Sequence, residues 1–158
     1  MSLAPPGLLA ALSIAALLAF PARADERSRD LEALIRDYIV AWNAHDAHAI
    51  WTRFYRLDAA QPTHSEADLA QEFARLVAQG YDHSDLQSVQ ACRLTPQTAI
   101  AILRFSRLKT DGSPMPPKDR ASLYTLRRFD DGWRVTGQGM DAAARIDCAS
   151  PPQPSGGG

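Results

Sequence analysis

The chain of 158 residues has no apolar run long enough to cross a bilayer comfortably as a helix. Its longest, "LLAALSIAALLAF" (Leu8 to Phe20), counts 13 residues, against the roughly 20 that a membrane helix needs. Basic clusters are missing too. The formal net charge is −1, so neither nucleic acid nor a membrane surface is expected as a partner. Arg104, Arg107, Arg127 and Arg128 read as solvated strand faces rather than a phosphate track. There are only 2 cysteines, neither with a histidine at ligand spacing, which argues against a zinc site. No metal or cofactor is expected, and no internal repeat is visible.

The remaining composition, 46% hydrophobic and 22% charged, is that of an ordinary globular domain. The early apolar run has the length of a signal-peptide core. "PARAD" follows it, with Ala22-Arg23-Ala24 in the small-x-small pattern of a signal-peptidase site. Residues 1–24 are therefore expected to be a signal peptide cut after Ala24, although "MSLAPPG" carries no Lys or Arg. No cysteine near the cut suggests a lipid anchor. The expected product is periplasmic or secreted, with one domain over residues 25–148 and a compositionally disordered tail, residues 149–158 ("SPPQPSGGG" in its final stretch). In an oxidising compartment Cys92 and Cys148 are expected to form a disulfide. It would tie the segment after the last strand to a mid-sheet strand and contribute roughly 4 kcal/mol. The alternative is a small core residue at Cys92 and a free thiol at Cys148.

From Glu26 to Ala44 the apolar positions Leu31, Leu34, Ile35, Tyr38, Ile39 and Trp42 form one stripe of an amphipathic helix. Asn43-Ala44-His45-Asp46 should end it. Asn suits the left-handed conformation, and Asp46 can cap a second helix over Ala47 to Tyr55 that turns Ile50, Trp51, Phe54 and Tyr55 inward. "SEAD" (Ser65 to Asp68) reads as a capping box with Asp in the acidic slot. Leu69, Phe73, Leu76 and Val77 follow as a third stripe, stopped by Gly80. Beyond it the period changes to two. Leu86 to Leu94, Thr98 to Leu108, Arg120 to Phe129 and Trp133 to Gln138 read as strands, separated by turn chemistry at Thr95-Pro96, "TDGSPMPPKD" and Asp130-Asp131-Gly132. Strand Thr98 to Leu108 shows Ala99, Ala101, Leu103 and Phe105 on one face, with Ile100, Ile102 and then Arg104 on the other. Helices first and antiparallel strands after predict an α+β fold with the helices on one face of the sheet.

"YIVAWNAHDAHAIWTRFY", then this strand order and a closing "YTLRRFDDGWRV", resembles the NTF2-like superfamily over roughly Arg29 to Gln138. The small bacterial steroid-isomerase and SnoaL-like members are the types it is most similar to. The most specific element is A-x-N-A-x-D at Ala41, Asn43, Ala44 and Asp46, with "GWRV" in support. The resemblance implies a cystatin-like cone of three N-terminal helices packed on a curved antiparallel sheet, frequent homodimers, and functions from isomerisation to plain binding. Carried over residue by residue, Tyr38 falls where steroid isomerases keep the tyrosine that donates to an enolate oxygen. Their Asp-Pro general base falls near Gln61-Pro62, and their second, acidic donor near Tyr124-Thr125. Neither position holds a carboxylate, so that mechanism is not implied.

Two functions follow as expectations. In the first, an apolar pocket lined by Trp42, Trp51, Tyr55 and Tyr124, with Arg104 to hold an anionic group, binds a small organic ligand or serves as an interaction module. In the second, Tyr38 polarises a carbonyl while His64 or His83 abstracts a proton. Each of these three has a plainer account: a core tyrosine, a loop histidine and a solvated turn histidine. His45 and His48 stand across a helix break and do not share a face, so they make no two-histidine metal site.

Overall fold

The computed structural model describes residues 22–57, 61–141 and 145–148. The expected signal peptide, up to residue 21, and the expected tail lie outside the described residues. Three helical segments precede a four-stranded antiparallel sheet whose strands pair in chain order, which is the expected α+β class. Among the described residues no helix is long and apolar enough to cross a membrane.

Helix α1 (Ala22–Asn43) buries the stripe read from its sequence. Leu31, Ile35, Tyr38, Ile39 and Trp42 all sit in the core, with Leu34 packed at its edge. Its end differs from expectation. Asn43 stays helical, and His45 takes the left-handed backbone, with φ 53. Asn43 is used as a stand-in peptide instead: its Nδ2 donates to the Ser84 carbonyl at 3.0 Å and its Oδ1 accepts from the Ser84 N–H at 2.9 Å. The helix end is thereby pinned to the first strand. Asp46 caps the next segment as expected, accepting from Ala49 N–H at 2.8 Å, a contact worth about 1 kcal/mol.

That segment, α2, is one short α-turn (Ala47–Ala49) running into a π-turn (Ile50–Phe54). The wider turn keeps Ile50, Phe54 and Tyr55 buried. Trp51, expected inward, is half-buried and packs at the edge of the core. The chain then runs beside the last strand, with Arg56 N–H donating to the Val135 carbonyl at 2.8 Å.

Helix α3 (Glu66–Ala78) starts at Ser65, whose hydroxyl accepts from Asp68 N–H at 3.1 Å. The short Asp68 carboxylate takes the Ser65 hydroxyl proton at 2.6 Å, and this bond holds its pKa below the usual carboxylate range. Leu69, Phe73 and Leu76 are buried, whereas Val77, expected inward, is 49% exposed. Gly80, with φ 88, ends the helix in the left-handed position.

Strand β1 (Tyr81–Arg93) begins at once, earlier than its sequence suggested, and pairs with β2 (Thr98–Lys109). β3 (Arg120–Phe129) and β4 (Gly132–Met140) complete the meander. Register shifts lie at Tyr81/His83 and Leu86/Ser88 in β1, and opposite Thr125/Leu126 in β4. Each bulge inserts one residue and reverses which parity faces the core. In β1 the inward set therefore runs Tyr81, then Ser84 and Leu86, then Val89 and Ala91. This hid the strand's first half, and His83, read as part of a turn, pairs with Leu108 inside it.

One face of the sheet joins the helices in the main core. The other carries a smaller cluster of Cys92, Ile100, Ile102, Ala121 and Ile146. Cys92 and Cys148 are disulfide-bonded, as expected. The bond holds the segment after β4 against this second face.

Candidate functional site

Tyr38 stands at the centre of an aromatic wall. Ring centroids of Trp42, Phe54, Tyr55 and Tyr124 lie 5.5–5.9 Å from its own. Its hydroxyl is 2.8 Å from that of Tyr55, which donates to Gln138 Oε1 at 2.9 Å. Because the Tyr55 proton goes to Gln138, the Tyr38 proton goes to Tyr55. Burial raises the pKa of both phenols well above the ordinary value, and the nearby Tyr124 phenol adds to each shift. Burial likewise raises Tyr124. All three are neutral hydrogen-bonding groups at physiological pH. Trp42 donates its indole N–H to the Tyr81 hydroxyl at 3.0 Å, which in turn lies 2.9 Å from Ser84 Oγ.

In front of this wall is a cavity of about 380 Å³, within the range of small-molecule sites. Tyr38, Ile39, Trp42, Leu103, Phe105 and Tyr124 give it an apolar side. Arg107, Arg120, Ser84, Ser122, Glu72 and Gln138 give it a polar side. Sheet parity explains both. On β2, Leu103, Phe105 and Arg107 point one way; on β3, Arg120, Ser122 and Tyr124 do the same. Glu72 projects from α3 and accepts from the Thr63 hydroxyl at 3.2 Å.

Among the described residues, these two arginines differ from every other cation in lining this space. The Nε of each is buried and has no hydrogen-bond partner. Arg120 donates from Nη2 to the Pro116 carbonyl at 2.6 Å. Burial, and then the neighbouring charge of Arg107, lowers its pKa, though a guanidinium remains charged. The Arg107 guanidinium lies over the Tyr81 ring, 5.7 Å from its centroid.

Of the residues singled out from sequence, Tyr38, Trp42 and Tyr124 meet at the cavity. Tyr55 stands behind Tyr38, and Trp51 packs against the far side of Tyr55 at 6.4 Å. Arg104 is in step with Ile100 and Ile102, on the opposite face of β2 from the cavity. His64 is exposed beside Asp68 at 3.4 Å, and the half-buried His83 lies beside Asp82 at 2.7 Å. Neither histidine lines the cavity. Gln61 accepts from the Gln138 N–H at 3.1 Å.

Arg107, Arg120 and Glu72 were missed. Arg107 was read as part of a solvated face, yet its parity with Leu103 and Phe105 gives it away. Glu72 falls between Leu69 and Leu76 at helical spacing, a carboxylate on the inward stripe of an amphipathic helix.

A family model described as "NTF2-like protein (DUF6841)" matches residues 26–142. No curated protein sequence matches the chain. Several solved structures share its fold. An NTF2-like protein with a cystatin-like fold from Novosphingobium aromaticivorans is 22% identical, with a TM-score of 0.54, over 80% of this chain and 89% of that one. A domain of unknown function with a cystatin-like fold from Nostoc punctiforme is 16% identical, with a TM-score of 0.53, over 75% and 78%. An NTF2-like superfamily protein from Salmonella enterica is 12% identical, with a TM-score of 0.53, over 81% and 92%. With the family match spanning most of its length, the chain belongs to the NTF2-like proteins.

Proposed function

We infer that this is an exported NTF2-like domain whose cavity binds a small organic molecule. Three N-terminal helices closing on a curved, bulged sheet would form the cone that holds it. One observation carries the reading: a cavity of about 380 Å³ with aromatic rings on one side and hydrogen-bonding groups on the other. The Cys92–Cys148 bond supports export, since disulfides persist in oxidising compartments. The signal sequence ending at Ala24, the periplasmic or secreted destination and the homodimer belong to the same reading. The proton-transfer alternative has weaker support, because His64 and His83 lie away from the cavity and the Tyr38 proton is engaged by Tyr55.

A thermal-shift screen with small apolar carboxylates and ketones tests this. Ligand at a hundred times its Kd should add about 2.7 kcal/mol, a rise of several degrees in Tm. The shift should survive Tyr38→Phe and His64→Ala without any turnover, and vanish in Ser122→Phe, which fills the space. Compounds that leave Tm unmoved, or shifts that persist when the cavity is filled, would count against the reading.

A further inference from the structure

We propose that Arg107 and Arg120 form a carboxylate clamp, and that the cavity takes a monocarboxylic acid with an apolar, ring-sized body. The inference rests on the binding reading above and specifies its ligand class.

The cross-strand register sets the pair. Phe105 is directly opposite Arg120, and Arg107 lies one step further along the same face of β2. The arginines are thus diagonal neighbours, with backbones about 7–8 Å apart. Two long side chains from those positions can converge on one group. Neither Nε has a hydrogen-bond partner in the protein, and a guanidinium grips a carboxylate through paired N–H groups. Among the described residues no carboxylate lies within ion-pair distance of either guanidinium. Glu72 lines the same cavity but is engaged by Thr63. The two positive charges instead line one cavity without an ion-pair partner among the described residues, which is costly in a half-buried site and is relieved when an anion arrives.

Charge and shape narrow the anion. Two guanidinium groups against one Glu72 leave the lining with a single net positive charge, which a monoanion cancels and a dianion overshoots. Trp42, Tyr38, Leu103 and Phe105 require that the rest of the molecule be apolar. The cavity equals about a dozen water volumes, so an acid of about that many non-hydrogen atoms fits.

The test is isothermal titration of the full chain with three probes of similar size: 3-phenylpropionate, 3-phenylpropanamide and phenyl phosphate. The acid should bind at least about tenfold more tightly than the amide and than the phosphate, and should weaken as salt rises. Arg107→Gln and Arg120→Gln should each weaken the acid by about ten- to hundredfold while changing the amide by no more than about twofold. Arg75→Gln removes an exposed cation from α3 and should change nothing. Arg107→Lys, which keeps the charge but loses the side-on grip, should recover only part of the affinity and serves if a Gln variant folds poorly. Equal binding of acid and amide would overturn the clamp and leave the cavity reading standing. Tighter binding of phenyl phosphate would overturn the monocarboxylate assignment. Binding of none of the probes would remove the cavity reading together with the clamp.

Discussion

Raised through pH 10, the folded protein should show almost no tyrosinate absorbance, and ionisation should appear only as it unfolds. The chain has 4 tyrosines, and burial raises the pKa of every one: Tyr38, Tyr55, Tyr81 and Tyr124. Phenols of the unfolded chain ionise near pH 10. Above that pH the unfolded chain has released protons that the folded chain still holds, so the equilibrium moves toward unfolding. Stability is fully present below about pH 10 and falls as the pH rises toward the folded-state values. The loss is about tenfold in the folding equilibrium per pH unit for each withheld phenol. Tyr38, Tyr55 and Tyr124 together give about a thousandfold per unit. Absorbance near 295 nm, followed beside circular dichroism, reads this directly. An ordinary titration of two or more tyrosines in protein that is still folded would mean that the aromatic wall is open to water.

Reduction of the Cys92–Cys148 bond, or Cys148→Ser, should be the most damaging change outside the core. The bridge spans a sequence separation of 56 residues, and closing such a loop contributes about 4 kcal/mol in the chain-entropy model. The loss should lower Tm by more than about 10 °C. It also frees Ile146 from Ile100, Ile102 and Ala121, so an apolar patch on the second face of the sheet should bind a hydrophobic dye before the main transition. Equal melting curves with and without reductant would show that the bond adds nothing.

Both predictions rest on features that the sequence carried with different clarity. Helix α1 was legible because six apolar residues repeat at helical spacing, and all six pack where that spacing puts them. The cysteine pair was legible from the expected export and from number. The first half of β1 was not, because two bulges reverse its inward parity and scramble the alternation that marks a strand. The π-turn was not legible either: the apolar spacing of Ile50, Trp51, Phe54 and Tyr55 read as a regular helix. The cavity cations were within reach. Arg104 is the first charge after the apolar stretch of β2, but the residue in phase with Leu103 and Phe105 is Arg107. Arg120 is in phase with Tyr124 on β3. What the sequence could not supply is the register that sets Arg120 opposite Phe105, since that depends on how the loop before β3 closes.

The chain has 3 tryptophans, and only Trp42 lines the cavity, its indole N–H bonded to Tyr81. Trp51 packs outside Tyr55, and Trp133 lies beneath the Arg93 guanidinium. In a proton–nitrogen correlation spectrum, titration with 3-phenylpropionate should move the Trp42 indole signal and leave those of Trp51 and Trp133 in place. Movement of Trp51 or Trp133 with Trp42 unchanged would put the binding site elsewhere and contradict the account.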